Sequence, residues 1–124
     1  MAKNQIIGIV GPCKSGKSNL KNGLETHGYH THHIAQEHSY SPIMWRKIVN
    51  PDILIFLDVS YEKTMERSGM KWTREEYQKQ QKRLSDARKH ANFYLLTDDL
   101  SEREVIQLSL NFLNSSSASI NQAV

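Results

Sequence analysis

One eight-residue run, Gly11-Pro12-Cys13-Lys14-Ser15-Gly16-Lys17-Ser18, constrains this fold more than anything else in the chain, because of what flanks it. It fits G-x-x-x-x-G-K-[ST]. Before it, Gln5-Ile6-Ile7-Gly8-Ile9-Val10 is apolar and β-branched and reads as a buried strand; after it, Asn19-Leu20-Lys21-Asn22-Gly23-Leu24-Glu25 reads as a short helix. At average composition the pattern turns up about once in 30,000 positions, too rarely to be an accident in a chain this short. Backbone N–H groups of such a loop converge on phosphate oxygens, and the helix N-terminus adds positive potential. All eight loop residues and Asn19 are therefore candidate contacts to a nucleotide. Lys17 would reach the β- and γ-phosphates, and the Ser18 hydroxyl would ligate Mg²⁺. Lys17 is expected to be exposed, so that Lys17→Ala would remove nucleotide-dependent function and leave the fold intact.

A chain of 124 residues is one domain, able to bury about two-thirds of its unfolded surface. Residues 1–113 read as that domain, and 114–124, with Ser115-Ser116-Ser117-Ala118-Ser119, as a disordered tail. No apolar run is long enough to span a membrane, and Met1-Ala2-Lys3-Asn4 leads straight into the first strand without a signal peptide. A single cysteine excludes an internal disulfide and suits a reducing cytoplasm. Cys13 is then either a redox group in the loop or an incidental thiol, the second being the plainer reading. The net charge of +3 is concentrated in residues 71–90, where Lys71, Arg74, Lys79, Lys82, Arg83, Arg88 and Lys89 face only Glu75, Glu76 and Asp86. Aromatic residues beyond Trp72 and Tyr77 are missing from that stretch, so nucleic acid is not the expected partner. A basic helix closing as a lid over phosphates fits better.

Strand and helix signals alternate along the chain. A second strand is expected over 29–35, a short helix starting at Ser41-Pro42 with Pro at its first helical position, and a buried strand at Ile53-Leu54-Ile55-Phe56-Leu57-Asp58-Val59. Ser60 caps a helix over 61–67 that Gly69 ends, and Thr73-Arg74-Glu75-Glu76 opens a long polar helix to Ala91. Residues 93–96 form the last strand. Ser101-Glu102-Arg103-Glu104 then opens a helix whose apolar face is Val105, Ile106, Leu108, Phe112 and Leu113. This order predicts an α/β fold of three layers: a short, mostly parallel sheet of about four strands with helices on both faces.

The arrangement resembles the small-molecule kinase branch of P-loop NTPases, shikimate kinase most and thymidylate and adenylate kinases more distantly. The likeness rests on the loop and on Leu57-Asp58-Val59-Ser60, Arg67-Ser68-Gly69, Arg74, Arg83, Ala91 and Thr97-Asp98-Asp99. It implies ATP and Mg²⁺ as ligands and transfer of the γ-phosphate to a small-molecule or nucleotide acceptor. By the same resemblance Arg67 would flank the adenine, and Thr97 with Asp98 and Asp99 would form a loop against the base. Arg74 would close on the phosphates and Arg83 would grip the acceptor. Arginine suits these roles because it offers a planar fork of donors that is always charged. The chain departs from the family in the acceptor half. Its second strand ends Ile34-Ala35-Gln36-Glu37-His38 without the aspartate pair of shikimate kinase, and the glycine-rich strand is missing. Shikimate is therefore not the expected substrate.

Two carboxylates compete for metal and base. Asp58 ends an apolar strand and would hold a water on Mg²⁺ beside Ser18 if that strand neighbours the loop. The resemblance instead sets that strand one place away, where Asp58 would only cap the following helix. Glu37 lies at the carboxyl end of the second strand, where open α/β sheets gather ligands, and could take the proton of an acceptor hydroxyl or hold a water on Mg²⁺. Gln36, His38, Ser39 and Trp45 would line the acceptor region, His38 as a second proton-handling group. The crowded His27, His30, His32 and His33 read as edge-strand residues rather than a metal site. A nucleotide-binding regulator with slow or no turnover is the alternative to a kinase. A GTPase switch is disfavoured, since the chain lacks both N-K-x-D and a D-x-x-G after the strand ending at Asp58. Acceptor and oligomeric state are not legible.

Overall fold

The computed structural model describes residues 5–69 and 71–123, with side chains through Ser115 apart from residue 70. The order is β1 (Ile6–Val10), α1 (Lys17–Thr26), β2 (His30–His33), a 3₁₀ turn (Gln36–His38), α2 (Met44–Ile48), β3 (Ile53–Asp58), α3 (Tyr61–Ser68), α4 (Arg74–Arg83), α5 (Ser85–His90), β4 (Phe93–Leu96) and α6 (Glu102–Ala123). The four strands form one sheet in the order β2-β1-β3-β4, every pair parallel. The α/β class with helices around a parallel sheet is thus as the alternating pattern predicted.

Each strand sends alternate side chains to opposite faces. Ile7, Ile9, Ile55 and Leu57 pack with Leu20 and Leu24 of α1 and Val105, Leu110 and Leu113 of α6. Val10, Leu54 and Phe56 pack on the other face with Trp45, Leu84 and Ala87. β3 is buried along its whole length, the pattern of a central parallel strand. Strand order reverses direction between β1 and β3, and in open α/β sheets the crevice at such a switch point, beyond the carboxyl ends of the strands, is where ligands bind. Residues 11–18 leave β1 at that point.

Local signals are reproduced closely. Ser60 Oγ accepts from Lys63 N, and Gly69 ends α3 in the left-handed region. Ser101 and Glu104 bond reciprocally at the start of α6. Several boundaries differ. α2 begins at Met44 rather than at Pro42. β2 is shorter than expected. The polar helix expected to reach Ala91 breaks at Leu84, whose side chain is fully buried in the second core. α4 buries only Gln80 otherwise, so the apolar contact at Leu84 outweighs helix regularity. The last helix does not stop at Leu113, and its backbone runs on through the expected tail to Ala123, because extending an anchored helix adds one hydrogen bond per residue. Val124 lies outside the described residues. Among the described residues no helix is long and apolar enough to cross a membrane.

Candidate functional site

Gly16, at φ 99°, forms the N-cap of α1, and Lys14 also has positive φ, so the loop turns back on itself before the helix begins. Lys17 is the first residue of α1 and is only 5% exposed, contrary to the exposure expected for it. Its ammonium has three N–H donors. Its Nζ donates to Gly11 O at 2.8 Å and Pro12 O at 2.9 Å, and lies 3.0 Å from Glu37 Oε2. The loop wraps around its own lysine and buries it. Glu37 is 3% exposed, and its Oε1 has no hydrogen-bond partner among the described residues. A buried carboxylate oxygen left unpaired is costly and marks a place where a ligand or water belongs.

Gln36 holds Glu37 in position. Its Nε2 donates to Ser41 O and Arg83 O, and its Oε1 accepts from Trp45 N. Gln36 is fully buried by these bonds, so it braces the 3₁₀ turn instead of reaching an acceptor as expected. Trp45 likewise belongs to the second core.

Lys17, Ser18, Asn19, Glu37, Arg67 and Thr97 meet along one cleft of about 740 Å³. The first N–H groups of α1 have no intrahelical acceptor and sit at this cleft. Arg67 donates to Lys14 O and to both oxygens of Thr97, so it ties the 11–18 loop to the loop after β4. Thr97 is buried, and its hydroxyl lies within hydrogen-bond distance of Ser15 O and Asp58 O. Its side chain therefore fastens three segments rather than presenting an edge to a base. The sequence reading missed four other residues that line the cleft, His33, Leu100, Glu102 and Val105. Asn19 Nδ2 donates to Glu102 Oε1 and joins α1 to the start of α6. The capping box at Ser101 located the start of α6, but nothing local showed that this start would lie beside α1. Burial, and then the Lys17 charge, lower the His33 pKa.

A second cleft, of about 440 Å³, shares Cys13 and Lys14 with the first and adds His38, Trp72, Lys79 and Arg83. The basic helix α4 closes it. Gln80 clasps Cys13 from both sides, accepting from its backbone N and donating to Sγ. Arg83 donates to Glu37 O and stacks over Tyr40. Arg74 is not brought to either cleft. It pairs with Glu62 at 3.2 Å and lies over the Tyr61 ring on the outer surface.

Asp58 corrects two expectations. β3 is the direct neighbour of β1, where the resemblance had set it one strand away. Yet its carboxylate does not line the cleft with Ser18. Val59 N and Gln81 Nε2 donate to Oδ1, while Arg88 Nη2 and the Tyr94 hydroxyl donate to Oδ2. Gln81 and Arg88 reach it from α4 and α5 and Tyr94 from β4, because Asp58 shares a face with Leu54 and Phe56, while Val59 N is the backbone of the next residue. The group knits β3, β4 and the helices together and leaves no lone pair aimed at a metal. Burial of the hydroxyl end, then its bond to Asp58, push the Tyr94 pKa up from 10 to about 12. The folded state holds this proton more tightly than the unfolded chain, so the associated stability is present below pH 10 and is lost as pH rises toward 12. In urea titrations the stability advantage of the parent over Tyr94→Phe is therefore expected to shrink across that window. A constant difference would show that the phenol does not titrate differently on folding.

No protein-family model matches this chain, and no curated protein matches it.

Proposed function

We propose that this chain binds Mg²⁺-ATP in the cleft beside residues 11–18 and transfers the γ-phosphoryl group to a small-molecule or nucleotide acceptor, as a compact P-loop kinase. The observation that carries the reading is the convergence of Lys17, Ser18, Arg67 and Glu37, one of whose carboxylate oxygens is unpaired, on one cleft that adjoins a second. Phosphoryl transfer needs positioning and neutralisation of charge more than covalent help from the protein. Lys17 and the start of α1 supply positive potential at the cleft floor. Arg67 stands at the rim, where it supports the loop and can meet a phosphate or base. Ser18 is the hydroxyl available to the metal. With Asp58 saturated, Glu37 is the carboxylate available to a metal-bound water or to the proton of an acceptor. Bound Mg²⁺ would supply charge neutralisation at the phosphate oxygens. Lys14, Lys79 and Arg83 make the second cleft cationic, which favours an acceptor carrying negative charge.

The alternative, a nucleotide-binding regulator with little turnover, is favoured by two observations. All three donors of Lys17 are satisfied within the protein, and Arg74 is held by Glu62 outside both clefts. A phosphate must displace one Lys17 contact before it binds. The test is to incubate the protein with Mg²⁺-ATP labelled at the γ-phosphate and a fractionated metabolite extract, with Lys17→Met as control. A labelled metabolite made only by the parent is the expected result and names the acceptor class. ATP bound but left intact would select the regulator, and failure to bind ATP at all would overturn both.

A further inference from the structure

We propose that Cys13, His38 and Glu37 form a binding site for a thiophilic divalent cation of the zinc type, set between the two clefts. One atom from each of the three side chains lies within 4.8 Å of the others. Cys13 Sγ is 3.6 Å from His38 Nε2, and His38 Nε2 is 3.8 Å from Glu37 Oε2. A tetrahedral ion bonded to sulfur at about 2.3 Å and to nitrogen at about 2.0 Å separates those two ligands by roughly 3.5 Å, close to the spacing found. The donor set itself selects the ion. Thiolate and imidazole suit zinc and its neighbours, whereas Mg²⁺ takes oxygen ligands.

Two further features point to a built site. Glu37 is almost wholly buried, yet its Oε1 has no partner, so the carboxylate has coordinating capacity that the protein leaves unused. Gln80 donates to Cys13 Sγ at 3.1 Å while accepting from its backbone N at 3.0 Å, which fixes the sulfur toward the 3₁₀ turn. Such outer partners orient metal ligands and are part of a working site. His38 is more than half exposed, so an ion has a path in from solvent. Three protein ligands leave a fourth position open. Glu37 Oε2 is also the partner of Lys17, so ion binding and the Lys17–Glu37 pair draw on the same oxygen. The proposal does not depend on nucleotide binding.

The test uses Co²⁺ as an optical probe with the reduced full-length protein and no nucleotide. The expected result is one Co²⁺ per chain with a near-ultraviolet thiolate-to-cobalt band, displaced by Zn²⁺. Cys13→Ser removes the band, and His38→Ala, at an exposed position that the fold tolerates, weakens cobalt binding by about tenfold or more. His30→Ala/His32→Ala keeps both band and affinity, which separates this site from the neighbouring histidines of β2. Absence of the band in the parent, or a band of equal affinity in His38→Ala, overturns the proposal. Failure to bind ATP with the cobalt site intact would instead count against both nucleotide-binding readings and leave this site standing.

Discussion

Lys17→Met is expected to lose nucleotide binding and about 3–5 kcal/mol of stability together, and only the second loss should be recovered in Lys17→Met/Glu37→Leu. Lys17 and Glu37 are each nearly inaccessible to water and lie 3.0 Å apart. Removing the ammonium strands a carboxylate whose other oxygen is already unpaired. Replacing both charges by apolar side chains of similar length removes that penalty, and such exchanges of buried pairs are often neutral or better. The methionine keeps the packing of the lysine stem but cannot bond Gly11 O and Pro12 O, so a small deficit should remain. Urea unfolding measures the stability and titration with a fluorescent nucleotide the binding. Equal stability in the single and double variants, both well below the parent, would mean that the stranded carboxylate is not the source of the cost. Parent-like nucleotide affinity in Lys17→Met would remove the basis for the phosphate-binding reading.

Gly11→Ala should be the most damaging change in the loop after Lys17, costing about 3 kcal/mol or more. A Cβ there would lie 2.0 Å from Leu57 O and 3.1 Å from Leu57 C. Both are backbone atoms of the buried strand β3, paired on its two sides with β1 and β4. No rotamer can relieve the overlap, so the loop must lift or the central strand must shift. Gly16→Ala meets nothing within 4 Å and carries only the strain of its positive φ, about 1–2 kcal/mol. The urea midpoint of Gly11→Ala should therefore fall well below that of Gly16→Ala. The reverse order would show that the loop does not lie against β3 as closely as described.

The features legible in the sequence are those held by neighbours in the chain. The caps at Ser60, Thr73 and Ser101 each satisfy backbone groups three residues away, and the alternation in β1 and β3 reports two buried faces directly. β4 came out at its expected residues for the same reason. Leu84 marks the limit. Its surroundings favour one continuous polar helix, and only its burial in the second core, the cluster that holds Phe56 and Val10, breaks it.

Much of the candidate site was not legible, because its decisive bonds join residues far apart in sequence. Cys13 meets Gln80 across 67 residues, and Asn19 meets Glu102 across 83. Local pattern cannot show that α6 begins beside α1, nor that Arg74 turns to Glu62. By itself the sequence determined the alternation of strands and helices, the turning loop at 11–18 and the capped helix starts, since hydrogen bonds and hydrophobic period within a few residues suffice for these. Only the tertiary structure decided that Lys17 is buried against Glu37, that Asp58 faces Arg88 and Tyr94, and that Cys13 meets His38. Each of these depends on which strand lies next to which and which face a side chain takes, and those are settled by packing the whole sheet at once.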